Sequence, residues 1–188
     1  MKIPVEVSAR HVHLSQEAVD TLFGKGHKLI FKKNLSQPGQ FVCEERVAII
    51  GSKGEFSSVA VLGPVRDKTQ VEVSITDAIK IGVPVLIRES GDLNGTPGVV
   101  LKGPNGIYEV KEGLIIAKRH IHINPSDAET LNVNNGEIVK VNVKTEFRSL
   151  VFDDVVVRVS PKFALAMHID TDEGNAAGCK NDVFGEIL

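Results

Sequence analysis

The chain has 188 residues, with 22 basic against 24 acidic side chains, a formal net charge of -2 and 42% hydrophobic residues. That near-neutral balance gives no electrostatic reason to bind nucleic acid or an anionic membrane surface, and no apolar run approaches the roughly 18 residues of a membrane span. The length suits one ordinary domain or two small, intimately packed ones, and Cys43 and Cys179, far apart in sequence, suggest neither a disulfide framework nor a zinc ribbon and fit a reducing cytosol.

Met1 to Ala9 reads as a strand rather than a signal peptide. It leads into Arg10-His11-Val12-His13-Leu14, after which Ser15 can cap a short helix from Gln16 to Phe23. The basic stretch from Lys25 to Lys33, with His27 inside it, reads as a solvated face, or as a surface for the phosphates of a nucleotide-bearing cofactor. Gly51-Ser52-Lys53-Gly54, between two apolar runs, signals a hairpin, and Gly63-Pro64-Val65-Arg66-Asp67 a turn. Val71-Glu72-Val73-Ser74-Ile75 alternates as a half-buried strand with Glu72 on its polar face.

The most loop-like segment runs from Glu89 to Gly98, and Gly103-Pro104-Asn105-Gly106 marks a second hairpin. Asn124 followed by Pro125 and Asp127 opens another short helix, and Val139 to Val143 alternates as a strand. Met167-His168-Ile169 is a strand running into an acidic, Gly-rich turn through Gly178. Many short strands with few helix-length windows favour a mainly β fold of small barrels or a sandwich over a doubly wound sheet.

The chain also repeats itself. Arg10-His11-Val12-His13-Leu14 recurs as Arg119-His120-Ile121-His122-Ile123, and Asp20-Thr21-Leu22 as Glu129-Thr130-Leu131, at one constant offset. Composition alone predicts about 0.2 His-x-His pairs in a chain of this size, so two with matching flanks call for a cause. In a strand, residues two apart share a face with Cα atoms about 6.5 to 7 Å apart, so two imidazoles can converge on one ion or on two adjacent ions while the Val or Ile between them enters the core. Imidazole is the commonest protein metal ligand. His168 is a candidate further ligand, and Arg66 could present its fork to a phosphate. Taken alone, Glu72, Arg66 and His168 also read as ordinary surface or core residues. There is no P-loop and no dinucleotide-binding glycine motif.

With these motifs in hand, the chain resembles the PduL-type phosphate propanoyltransferases, or phosphotransacylases. The likeness runs through Ser8-Ala9-Arg10-His11-Val12-His13-Leu14-Ser15, the Gly63-Pro64-Val65-Arg66 turn, Lys118-Arg119-His120-Ile121-His122 and Met167-His168-Ile169-Asp170-Thr171-Asp172-Glu173. It implies two small β-barrels with their opening strands exchanged, each with a short helix after its His-x-His strand. Residues 1–9 would join 118–188 and residues 10–117 form the other domain, with a dinuclear zinc site at the junction. By the same resemblance Glu72, His120 and His122 would hold one ion and His11, His13 and His168 the other, Arg66 would bind phosphate, and Ser8, Lys33, Leu62 and Asn175 would contact coenzyme A.

The implied reaction is acyl-CoA + phosphate = acyl phosphate + CoA, with a propanoyl or acetyl group. Phosphate held by metal and Arg66 would attack the thioester directly while zinc stabilises the departing thiolate. The implied partners are acyl-CoA or CoA and phosphate or acyl phosphate; a homodimer is compatible with this reading. Members packaged in microcompartments carry an N-terminal amphipathic extension, and only Met1-Lys2-Ile3-Pro4 precedes the first strand here, so a free cytoplasmic enzyme is expected. Two other readings compete. His11-x-His13 with Glu17 fits the first half of a cupin motif and a mononuclear oxygenase, and a structural zinc module would merely tie the halves together. Amidohydrolases also begin with His-x-His but need a barrel of about 250 residues.

Overall fold

The computed structural model describes residues 1–180 and 182–188. In chain order the first half comprises β1 (Ile3–Ser8), β2 (His11–His13), α1 (Gln16–Phe23), β3 (Phe31–Asn34), β4 (Phe41–Ile50), β5 (Glu55–Gly63), β6 (Gln70–Glu72), α2 (Ile75–Ile81), β7 (Ile87–Arg88), β8 (Val99–Lys102), β9 (Ile107–Val110) and β10 (Leu114–Ala117). The second half adds β11 (His120–Ile123), α3 (Pro125–Leu131), β12 (Ile138–Val143), β13 (Leu150–Val159), β14 (Ala166–Asp170), α4 (Thr171–Ala177) and β15 (Phe184–Ile187). The fold is mainly β, as the alternating pattern requires, and it divides into two compact units.

One unit comprises Met1–Ala9, Ser36–Pro38 and Lys118–Leu188. Its six strands close into a barrel in the order β1-β14-β11-β13-β12-β15. Ile3, Ile121, Ile123, Val141, Phe152, Val157 and Met167 fill the interior; sequestering each large apolar side chain contributes about 1.5 to 3 kcal/mol. The excursion Ser36–Pro38 is drawn in by polar contacts: Ser36 Oγ donates to Glu6 Oε2 at 2.6 Å, and the Gln37 amide exchanges two hydrogen bonds with the Ala164 backbone.

The other unit comprises Arg10–Leu35 and Gly39–Ala117. Its strands follow the path β7-β10-β6-β2-β5-β4-β8-β9 with β3 added on β4, a curled half-barrel rather than a closed one. Val12, Leu14, Val61, Val71, Leu101 and Leu114 lie in its core. Both expected hairpins form, with the Gly51 and Gly103 amides donating to the Gly54 and Gly106 carbonyls at 2.9 Å.

The duplication is structural. The strand β1 pairs parallel with β14, Val5 opposite Met167, and its repeat counterpart β10 pairs parallel with β6, Leu114 opposite Val71. Thus β1 joins the unit built mainly from residues 118–188, while its counterpart β10 joins the unit built from the residues that precede it. Two short helices depart from the sequence reading. The strand expected over 71–75 ends at Glu72, because Ser74 caps α2 in a reciprocal capping box with Asp77. The acidic turn after His168 is α4, capped in the same way by Asp170 and Glu173. A polar residue followed three positions later by an acid is the signal in both, and alternation and glycine content obscured it.

Candidate metal centre

The His-x-His strands put their middle residues in the cores, Val12 and Ile121 both fully buried, and the histidines on the opposite face. A third strand supplies the remaining donor by register. In one unit β2 pairs antiparallel with β6 and sets His11 opposite Glu72; in the other, β11 pairs antiparallel with β14 and sets His120 opposite His168. Glu72 and His168 therefore hold the same position of the repeated unit.

Two donor groups converge: His11, His13 and Glu72 in one unit, and His120, His122 and His168 in the other, each with ligand atoms within 4.8 Å of one another. His11 Nε2 lies 3.4 Å from Glu72 Oε2, and His13 Nε2 lies 3.9 Å from Glu72 Oε1. Ring centroids are 4.5 Å apart for His120 and His122, 5.1 Å for His120 and His168, and 4.8 Å for His122 and His168. These within-unit groupings differ from the partition implied by the resemblance, in which Glu72 and His168 change places.

Supporting contacts orient the rings. The His120 Nδ1–H donates to the Lys118 carbonyl at 2.8 Å, which leaves Nε2 with its lone pair for an ion. His168 Nδ1 lies 3.6 Å from Glu6 Oε2. Within each unit the arginine immediately before the His pair bonds an acid on the helix after the third donor: Arg10 makes bonds of 2.9 and 2.7 Å to Asp77, and Arg119 Nε lies 3.0 Å from Glu173 Oε1. These contacts were not singled out from sequence, although Arg10 and Arg119 recur in the repeat.

Electrostatics favour a cation. Burial, the neighbouring His11 and Arg66 draw the His13 imidazole down to about 3, against a smaller opposing pull from Glu72. The Leu62 backbone also pulls the ring's pKa upward, yet His13 Nδ1 is buried without a well-formed hydrogen bond among the described residues, a group that an ion or its water could satisfy. Burial alone would push the Glu72 carboxyl up, but His11 by charge and hydrogen bond, with His13 and Arg66, outweighs it and holds the carboxyl well below the usual carboxylate range. Neutral imidazole beside carboxylate is a donor set that suits zinc and its divalent neighbours.

The sign of the His13 shift sets a pH dependence. The folded ring binds its proton more weakly than an unfolded one near 6.5, so its contribution to stability is full above about pH 6.5 and is lost as pH falls toward 3. Metal-free protein is expected to lose about 2 kcal/mol between pH 7 and pH 5 from this ring. Urea denaturation in chelator at the two pH values measures it, and His13→Gln should flatten the slope.

The other expected site residues fall as follows. Arg66 is half-buried, its amide donating to the Leu14 carbonyl at 2.9 Å and its Nη1 to Ser90 Oγ at 3.4 Å, so the turn is pinned at the end of β2. Leu62 pairs with His13 across β5, and Val42 links it in register to exposed Lys33 on β3. Ser8 ends β1 opposite Asp170, and Asn175 is exposed on α4. Glu17 is exposed on α1 and belongs to neither donor group, which removes the cupin reading. His27, expected in solvent, is half-buried and bonds Glu45 at 2.6 Å, because Glu45 is itself buried and also accepts the Ile30 amide.

Comparison with known proteins now bears on this geometry. Residues 4–180 match the family description Phosphate propanoyltransferase. The chain is 52% identical over 186 residues to the phosphate propanoyltransferase of Listeria monocytogenes, covering 99% of this chain and 87% of that one. It is 57% identical over 175 residues to that of Thermotoga maritima, covering 93% and 83%. The chain belongs to the phosphate propanoyltransferase family. It is therefore a transferase of the phosphotransacylase class, and family membership supports acyl transfer between acyl-CoA and phosphate. Among the described residues no helix is long and apolar enough to cross a membrane.

Proposed function

We propose that this chain moves a propanoyl or acetyl group between coenzyme A and inorganic phosphate, with His11, His13, Glu72, His120, His122 and His168 holding two divalent ions, zinc by donor type. The supporting observation is the pair of converging donor groups in a chain of this family. Bound ions would supply Lewis acidity where negative charge develops, on the departing sulfur and the carbonyl oxygen.

The protein's own part is positioning. Arg66 presents a fork suited to phosphate beside the His13 and Glu72 donors. A phosphate oxygen then bonds to the thioester carbon, the carbon–sulfur bond breaks, and its electron pair leaves with the coenzyme A thiolate. Cysteine chemistry is not needed: burial, with Glu45, pushes the Cys43 thiol up to about 11, and burial also raises Cys179, so neither is an activated thiolate at neutral pH. For the coenzyme, the in-register line His13, Leu62, Val42, Lys33 gives an apolar strip ending in a cation. Ser8 and Asn175 complete the proposed contacts. The two free thiols suit the cytoplasm as the proposed compartment.

A structural zinc module remains the competing reading. Three protein donors in each group among the described residues favour catalysis, since structural zinc has four closed ligands and catalytic zinc keeps one position for water or substrate. The test mixes metal-replete protein with acetyl- or propanoyl-coenzyme A and follows thiol release with and without phosphate. Release that depends on phosphate and yields acyl phosphate is expected; phosphate-independent release, or none, overturns the proposal.

A further inference from the structure

The third donor Glu72 is gripped by side chains of its own unit. Gln70 Nε2 donates to Glu72 Oε1 at 2.5 Å and to Ser90 Oγ at 2.8 Å, and the Gly91 amide donates to Gln70 Oε1 at 2.8 Å. The backbone donor at Gly91 fixes the orientation of the Gln70 amide, since an oxygen must face it and the NH2 group must then face the carboxylate. Ser90 Oγ also lies 3.3 Å from Glu72 Oε1 and accepts from Arg66 Nη1 at 3.4 Å. Gln70 is only 1% exposed, so this amide is committed to the network rather than to water. The corresponding position on β14 is Ala166, in register with His122 as Gln70 is with His13, and an alanine cannot make such bonds.

We infer that Gln70 and Ser90 are positioning residues that spend the lone pairs of Glu72 Oε1, leave Oε2 as the single oxygen offered to an ion, and tie the Arg66 guanidinium to the same frame. The inference deepens the metal-dependent reading above and rests on it. A carboxylate gripped through one oxygen binds an ion through the other, which keeps a coordination position open instead of closing it by two-oxygen chelation. Ser90 couples that carboxylate to the proposed phosphate-binding arginine, so the loop from Glu89 to Gly98 acts as a brace for both.

Cobalt(II) titration of metal-free protein, followed by visible absorption, separates the inference from the reading beneath it. Wild-type protein should take up two ions. In Ser90→Ala and Gln70→Leu one of the two binding steps should weaken by about 10- to 100-fold, the range for loss of a supporting residue, while the other ion binds as before. Steady-state assays of the metal-saturated variants should show a raised KM for phosphate with the KM for acyl-CoA unchanged. Ser90→Thr, which keeps the hydroxyl, should restore both readouts. Gln70 is buried and its variant could fail to fold, whereas half-buried Ser90 lies in a loop and carries the test by itself. Two-ion binding at wild-type affinity together with a wild-type phosphate KM in folded Ser90→Ala overturns the inference; failure of wild-type protein to bind cobalt would instead overturn the metal-dependent reading.

Discussion

Replacing His13 or His122 with alanine is expected to remove one of two bound ions, and replacing both is expected to remove both. The two residues stand in separate donor groups, and the resemblance also assigns them to different ions, so this outcome holds for either partition of Glu72 and His168. Loss of a direct ligand should cost more than the roughly 10- to 100-fold in affinity typical of a supporting residue. Activity should fall about 10²- to 10⁴-fold, because a metal acting as Lewis acid contributes several kcal/mol to the barrier. Elemental analysis after desalting, read beside circular dichroism to confirm folding, makes the measurement. Unchanged stoichiometry in both single variants would refute a two-ion centre. The partition follows from Glu72→Ala in the His122→Ala background: a second ion is lost if Glu72 sides with His11 and His13, and retained if it completes the His120 and His122 pair.

That experiment also marks where sequence reading stops. The His-x-His pairs were legible because a strand alternates and because the duplication copied the pattern intact, so Val12 and Ile121 enter their cores as expected. The third donors were not legible by spacing. Glu72 and His168 reach the histidines through cross-strand register between β6 and β2 and between β14 and β11, pairings that span many residues of chain and leave no local signature. A weaker repeat could have exposed their equivalence: Glu72 is followed by a Ser74 cap and a Gly82 helix end, His168 by an Asp170 cap and a Gly178 helix end, with both glycines in the left-handed region. The two acids at the third cap positions, Asp77 and Glu173, are also the ones gripped by Arg10 and Arg119. Side chains that differ at the donor itself, carboxylate against imidazole, conceal a backbone that is the same.

Arg66→Lys is expected to raise the KM for phosphate without altering that for acyl-CoA, and Arg66→Ala to do so more severely. Lysine keeps the positive charge but not the planar fork, so a graded series separates charge from geometry. Hydrogen bonds to charged groups contribute about 1.5 to 3 kcal/mol, which corresponds to a fall of roughly 10- to 150-fold in kcat/KM for phosphate in the alanine variant. Arg66 is anchored independently through its backbone to Leu14, so truncating the side chain should leave the turn and the fold in place. The guanidinium also contributes to holding both His13 and the Glu72 carboxyl below their ordinary pKa values. Its removal should therefore make metal binding more sensitive to acid, since protons compete more effectively for ligands that are less strongly kept deprotonated. A phosphate KM unchanged in Arg66→Ala would take the arginine out of phosphate binding and leave it with the electrostatic role alone.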